Sequence, residues 1–103
     1  MTEHRDSRAT VTLVVNLPIT KSDALDVIAF ACDGEVTGVG TAHPRVRLAA
    51  NEWAEVEMPK FADPPPLAID VHSTVGQGAA RAAASTLAAA LTRLGWTVHL
   101  AGE

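Results

Sequence analysis

The sequence predicts an α+β domain. Three observations carry that prediction. A β-branched run near residue 10 alternates in character, a long alanine-rich run near residue 80 has helical composition, and a short alternating run lies on each side of that helix.

Thr10-Val11-Thr12-Leu13-Val14-Val15-Asn16-Leu17 is the first element. Val11, Leu13, Val15 and Leu17 alternate with Thr10, Thr12, Val14 and Asn16, which is the period of a strand. Val14 makes both faces apolar at mid-strand, so a central position is expected, and Pro18 ends the run.

Residues 20–33 are read as a helix. Thr20 with Asp23 resembles a capping box, Leu25, Ile28, Ala29 and Cys32 share one helical face, and Gly34 is the expected stop. The rival reading takes Asp33-Gly34 as a hairpin turn between strands over 27–32 and 35–42. Residues 35–42 read as a strand whose two glycines, Gly38 and Gly40, suggest a bulge. His43-Pro44 follows as a turn.

Residues 45–58 carry two patterns. Val46, Ala49, Ala50, Trp53 and Val56 fit a helix face, while Ala54, Val56 and Met58 alternate with Trp53, Glu55 and Glu57. A strand over 52–58 is expected, with Asn51 in a turn. Pro59 and Asp63-Pro64-Pro65-Pro66 then read as a stiff connector.

Leu67-Ala68-Ile69-Asp70-Val71-His72 alternates and is a strand. A helix is predicted over 76–94, because eight of the twelve residues from 79 to 90 are alanine, the best helix former. Ser73 or Thr74 is the expected cap, Leu87, Leu91 and Leu94 mark the apolar face, and Gly95 supplies a left-handed stop. Trp96-Thr97-Val98-His99-Leu100 is the last strand, with Trp96 sealing the junction.

Taken in order, these elements fit a ferredoxin-like split βαβ sheet. The pattern is βαββαβ with an insertion or extra edge strand near 43–66, and both helices lie on one face. Parity then assigns the two sides of the sheet. Val11, Leu13, Val15, Leu17, Ile69, Val71, Val98 and Leu100 face the helices. Thr12, Val14, Asn16, Thr37, Thr41, Asp70, His72, Thr97 and His99 face the other way.

Composition bounds the function. The chain has 103 residues, which suits one domain over 9–103 behind a disordered tail at 1–8. The net charge is −4, and the basic residues Arg5, Arg8, Lys21, Arg45, Arg47, Lys60, Arg81 and Arg93 are scattered, which argues against nucleic acid as a partner. The polar start lacks the apolar core of a signal peptide, and no stretch is apolar enough to span a bilayer, so a cytoplasmic, non-membrane protein is expected. Cys32 has no second cysteine to pair with and reads as a small buried hydrophobe. No motif implies a metal or a cofactor.

Two constellations could carry chemistry. The first is Asp70, His72 and His99, a carboxylate with two imidazoles on one sheet face. Asp70 and His72 are two apart on one strand, so their side chains start roughly 6 to 7 Å apart. A solvated sheet face has the same composition. The second is the Ser73-Thr74-Val75-Gly76-Gln77-Gly78 turn with Arg81, where a helix N-terminus offers backbone N–H groups to an anion. It lacks the small residue of a dinucleotide fingerprint at Arg81 and the Gly-Lys-Ser/Thr of a phosphate loop. Glu52, Glu55 and Glu57 read as an exposed acidic edge, and Trp53 as either core or interface anchor. No nucleophile, base and orienter set is convincing. The expectation is a non-catalytic module that binds a protein partner or forms a homodimer. The alternative is a small enzyme or anion-binding protein at one of the two constellations.

Overall fold

Residues 9–17, 19–41, 43–57 and 67–101 are described in the structure, a computed structural model. The expected tail at 1–8 and the proline-rich connector at 59–66 lie outside those residues. The elements in chain order are β1 (Ala9–Val15), α1 (Lys21–Cys32), β2 (Glu35–Thr37), β3 (Arg45–Ala49), β4 (Glu52–Glu57), β5 (Leu67–Ser73), α2 (Gln77–Arg93) and β6 (Val98–Leu100). The strands form a six-stranded sheet in the order β2-β3-β4-β5-β1-β6, with each neighbouring pair antiparallel.

Helix α1 forms, and the Asp33-Gly34 hairpin does not. The Thr20 hydroxyl accepts the N–H of Asp23 at 3.1 Å, satisfying one of the four donors a helix start leaves open. At the other end the left-handed residue is Asp33, with φ 54°, and not Gly34. Aspartate tolerates this region because its short polar side chain suits tight turns. Gly34 is needed for a different reason. A Cβ there would stand 2.5 Å from the carbonyl oxygen of Arg47, so the chain leaving α1 runs directly against β3.

Strand β2 is shorter than expected and stops at Thr37. Gly38 and Gly40 take positive φ, 74° and 86°, and make a turn in place of a bulge. The Thr41 hydroxyl donates to the Gly38 carbonyl at 2.6 Å, so Thr41 belongs to this turn and not to the sheet face.

Residues 45–57 form a hairpin, β3–β4, turning at Ala50-Asn51. The expected strand over 52–58 is β4, with Met58 outside the described residues. Strand β3 was not expected. The hairpin lies inside the sheet between β2 and β5, not at an edge. The six-strand order therefore does not confirm the ferredoxin-like arrangement. It also removes the acidic edge, since β3 covers β4 on one side and β5 on the other.

Helix α2 begins at Gln77 behind Gly76, and no side chain caps it. The caps expected at Ser73 and Thr74 fail because both groups are committed elsewhere. Ser73 is fully buried, donates to Glu52 Oε2 at 2.9 Å and accepts the Val75 N–H at 3.0 Å. Thr74 reaches Asn51, through its N–H to the carbonyl at 3.0 Å and its hydroxyl to Oδ1 at 3.4 Å. The stop at Gly95 is as expected. Its φ is 98°, its N–H reaches the Thr92 carbonyl at 3.0 Å, and Trp96 N–H reaches the Leu91 carbonyl at 3.1 Å.

The core lies between the sheet and both helices. Val11, Leu13, Val15, Val46, Ala54, Val56, Leu67, Ile69 and Val71 meet Ala24, Leu25 and Ile28 of α1 and Ala80, Ala84, Leu87 and Leu91 of α2. Leu17, Trp96, Val98 and Leu100 pack at its margin. The alternation read from residues 11–17 and 67–72 thus decides which face is covered.

Candidate functional site

The other face of the sheet carries the polar side chains, and strand register sorts them into rows. The first row runs Glu35, Arg47, Trp53, His72 and Thr10 across β2, β3, β4, β5 and β1. The second holds Thr37 beside Arg45, and then Glu55, Asp70 and Thr12. The third holds Glu57, Ala68, Val14 and His99.

His72 is the hub of this face. Its Nδ1 lies 2.8 Å from the Thr10 hydroxyl, and its Nε2 lies 3.3 Å from Glu55 Oε1. A neutral ring that donates from Nε2 and accepts at Nδ1 satisfies both contacts. The ring stacks on Trp53, with centroids 5.3 Å apart and planes 30° apart. The guanidinium carbon of Arg45 sits 5.2 Å from the Trp53 ring centroid, within cation–π range. Asp70 is committed separately, accepting the Thr12 hydroxyl at 2.6 Å.

These contacts separate the first constellation. Asp70 and His72 share the open face but each has its own threonine. His99 lies in the third row, opposite Val14, with β1 between its strand and that of His72. Among the described residues, no group of three histidine, cysteine, aspartate or glutamate side chains is placed to hold a metal ion. The second constellation is divided as well. Ser73 and Thr74 bond to the β4 side of the sheet, and Gly76 and Gly78 have open space around them. Arg81 lies beyond the first helical turn and lines a groove of about 290 Å³ with Leu13, Ala84, Val98 and Leu100.

Two features of the site exceed the sequence reading. One is the Arg45–Trp53–His72 contact chain. The alternation over 52–58 had placed Trp53 and Glu55 on one side, but their neighbours depend on β3, which carries few apolar residues to reveal it. The other is the indole Nε1 of Trp53, which is buried and has no hydrogen-bond partner. An unmet donor of this kind costs about 1–3 kcal/mol. On the helix side, a groove of about 570 Å³ separates the end of α1 from the alanine flank of α2, lined by Cys32, Glu52, Ala79, Ala83, Thr86 and Ala90 among others. Cys32 is half-buried there, and burial pushes its thiol pKa up.

Fold and site together define a two-layer α+β protein with an open polar sheet face centred on a tryptophan–histidine stack. No family model, curated protein or solved structure matches the chain. Among the described residues, no helix is long and apolar enough to cross a membrane.

Proposed function

We propose that the chain is a non-catalytic binding module that engages a protein partner through the open face of its sheet. The observation that carries this reading is the stack of Trp53 on His72 at the open face, with the Arg45 guanidinium beside the indole ring. Tryptophan is a frequent anchor of binding interfaces, because its large apolar ring brings with it one polar group to satisfy. The flanking Arg45 and Glu55 give the rim the charge that selects a partner.

The catalytic alternative has less support. Both nitrogens of His72 are engaged, Asp70 is bonded to Thr12, and His99 lies in another row. An anion site at Gly76–Gly78 would have to work without the Ser73 hydroxyl.

A homodimer is the second reading, favoured by the apolar, alanine-lined groove beside α2, a surface for another copy to cover. We also infer a ferredoxin-like arrangement with an inserted hairpin. Leaving out the β3–β4 hairpin gives the order β2-β5-β1-β6, which is the split βαβ order.

Capture experiments with the full chain test the main reading. Wild type should retain a partner that Trp53→Ala loses while its melting temperature shows it folded. A partner retained equally by Trp53→Ala and His72→Ala would overturn the open-face assignment. Sedimentation over a wide concentration range tests the second: a constant monomer mass rejects the homodimer.

A further inference from the structure

Beside Trp53 the open face has a hollow of about 310 Å³, lined by Thr37, Arg45, Arg47, Ala49, Ala50, Glu52 and Trp53. We propose that this hollow is a binding site for a small oxyanion, a carboxylate or a phosphate group.

The lining brings together two arginines and a threonine. Arg45 and Arg47 project from the same face of β3, two residues apart, and both are exposed. Neither makes an ion pair among the described residues, and the nearby Glu55 carboxylate lies against His72 Nε2. This is notable because carboxylates are near: register sets Glu35 directly opposite Arg47. Thr37 stands opposite Arg45 and adds a hydroxyl. The Trp53 ring forms one wall, with the Arg45 guanidinium beside it. Glu52 also lines the hollow, but its Oε2 accepts the Ser73 hydroxyl on the other side of β4.

Two guanidiniums and one hydroxyl around a concave surface match an oxyanion better than any neutral ligand. Guanidinium forks bind carboxylates and phosphates through paired hydrogen bonds. This site goes beyond the partner-binding reading and stands without it, since a free oxyanion needs no protein partner.

The test is an NMR titration of the full ¹⁵N-labelled chain with inorganic phosphate, and separately with citrate, against sodium chloride at equal ionic strength. The Trp53 indole signal is identified by its loss in Trp53→Phe. The expected result is a saturable shift of that signal with one or both oxyanions, with Trp96 unmoved. Phosphate alone or citrate alone would name the source. Arg45→Ala and Arg47→Ala change exposed side chains, and each should weaken the response about tenfold or more. A non-saturable shift, a chloride response of equal size, or full binding by the Arg45→Ala/Arg47→Ala double variant would overturn the proposal.

Discussion

Gly34→Ala probes the close approach of α1's exit to β3, the strand that carries Arg45 and Arg47. A Cβ at residue 34 would lie 2.5 Å from the Arg47 carbonyl oxygen and 3.0 Å from Val46 Cγ1. The nearer atom is backbone, held in a strand paired on both sides. Residue 34 is held as well, since its N–H bonds the Ala29 carbonyl at 2.8 Å. Neither side can yield cheaply. Overpacking of this kind costs about 1–3 kcal/mol, and a backbone clash belongs at the upper end. Replacing glycine stiffens the unfolded chain and returns about 0.4–1 kcal/mol. The net loss is about 2 kcal/mol, which for a domain of this size lowers Tm by about 8–16 °C. Gly78→Ala is the matched control. It lies in the first turn of α2, where an added Cβ meets nothing within 4 Å, so helix propensity should stabilise by up to about 1 kcal/mol. Urea and thermal unfolding of both variants give the answer. A neutral or stabilising Gly34→Ala would refute the close approach of α1's exit to β3.

Three further outcomes are expected. Ser73→Ala removes a fully buried hydroxyl that serves Glu52 and the Val75 N–H, and should cost about 1–3 kcal/mol in urea unfolding, with Ser73→Thr no substitute in so tight a site. Thr20→Ala should cost about 1 kcal/mol through the lost cap, and Thr20→Ser should restore it. The Cys32 thiol, its pKa raised by burial, should react with iodoacetamide more slowly in the native protein than in urea at mildly alkaline pH. A raised folded pKa favours the protonated fold. This contribution is therefore complete below the ordinary thiol range and declines as pH rises through the folded pKa, so the stability gap between wild type and Cys32→Ser should narrow in that direction.

The parts of the fold legible in the sequence are those where one residue pattern decides one structure. Alternation over 11–17 and 67–72 has a single solution when one face is buried, and the alanine run with Gly95 behind it admits nothing but a helix. The failures share a cause. Strand β3 has Val46 and Leu48 as its large inward residues, too few for a period to show, and it is held in place by neighbours on both sides. Ser73 has the right type for a helix cap, yet its backbone belongs to β5 and its hydroxyl to Glu52. Asp33 took the left-handed position that Gly34 seemed made for, because Gly34 was needed where β3 passes. In the site, parity placed Asp70, His72 and His99 on one face, but the register that separates them into rows arises between strands far apart in sequence.

Hydroxyl-radical footprinting with the partner bound compares the two faces of the sheet in one experiment. Trp53 and His72 report on the open face, while Phe30 and Leu94, both exposed, report on the helix side. Oxidation should fall at Trp53 and His72 and hold steady at Phe30 and Leu94. Protection at Phe30 or Leu94, with Trp53 as reactive as in the isolated chain, would move the working surface to the helices and contradict the account.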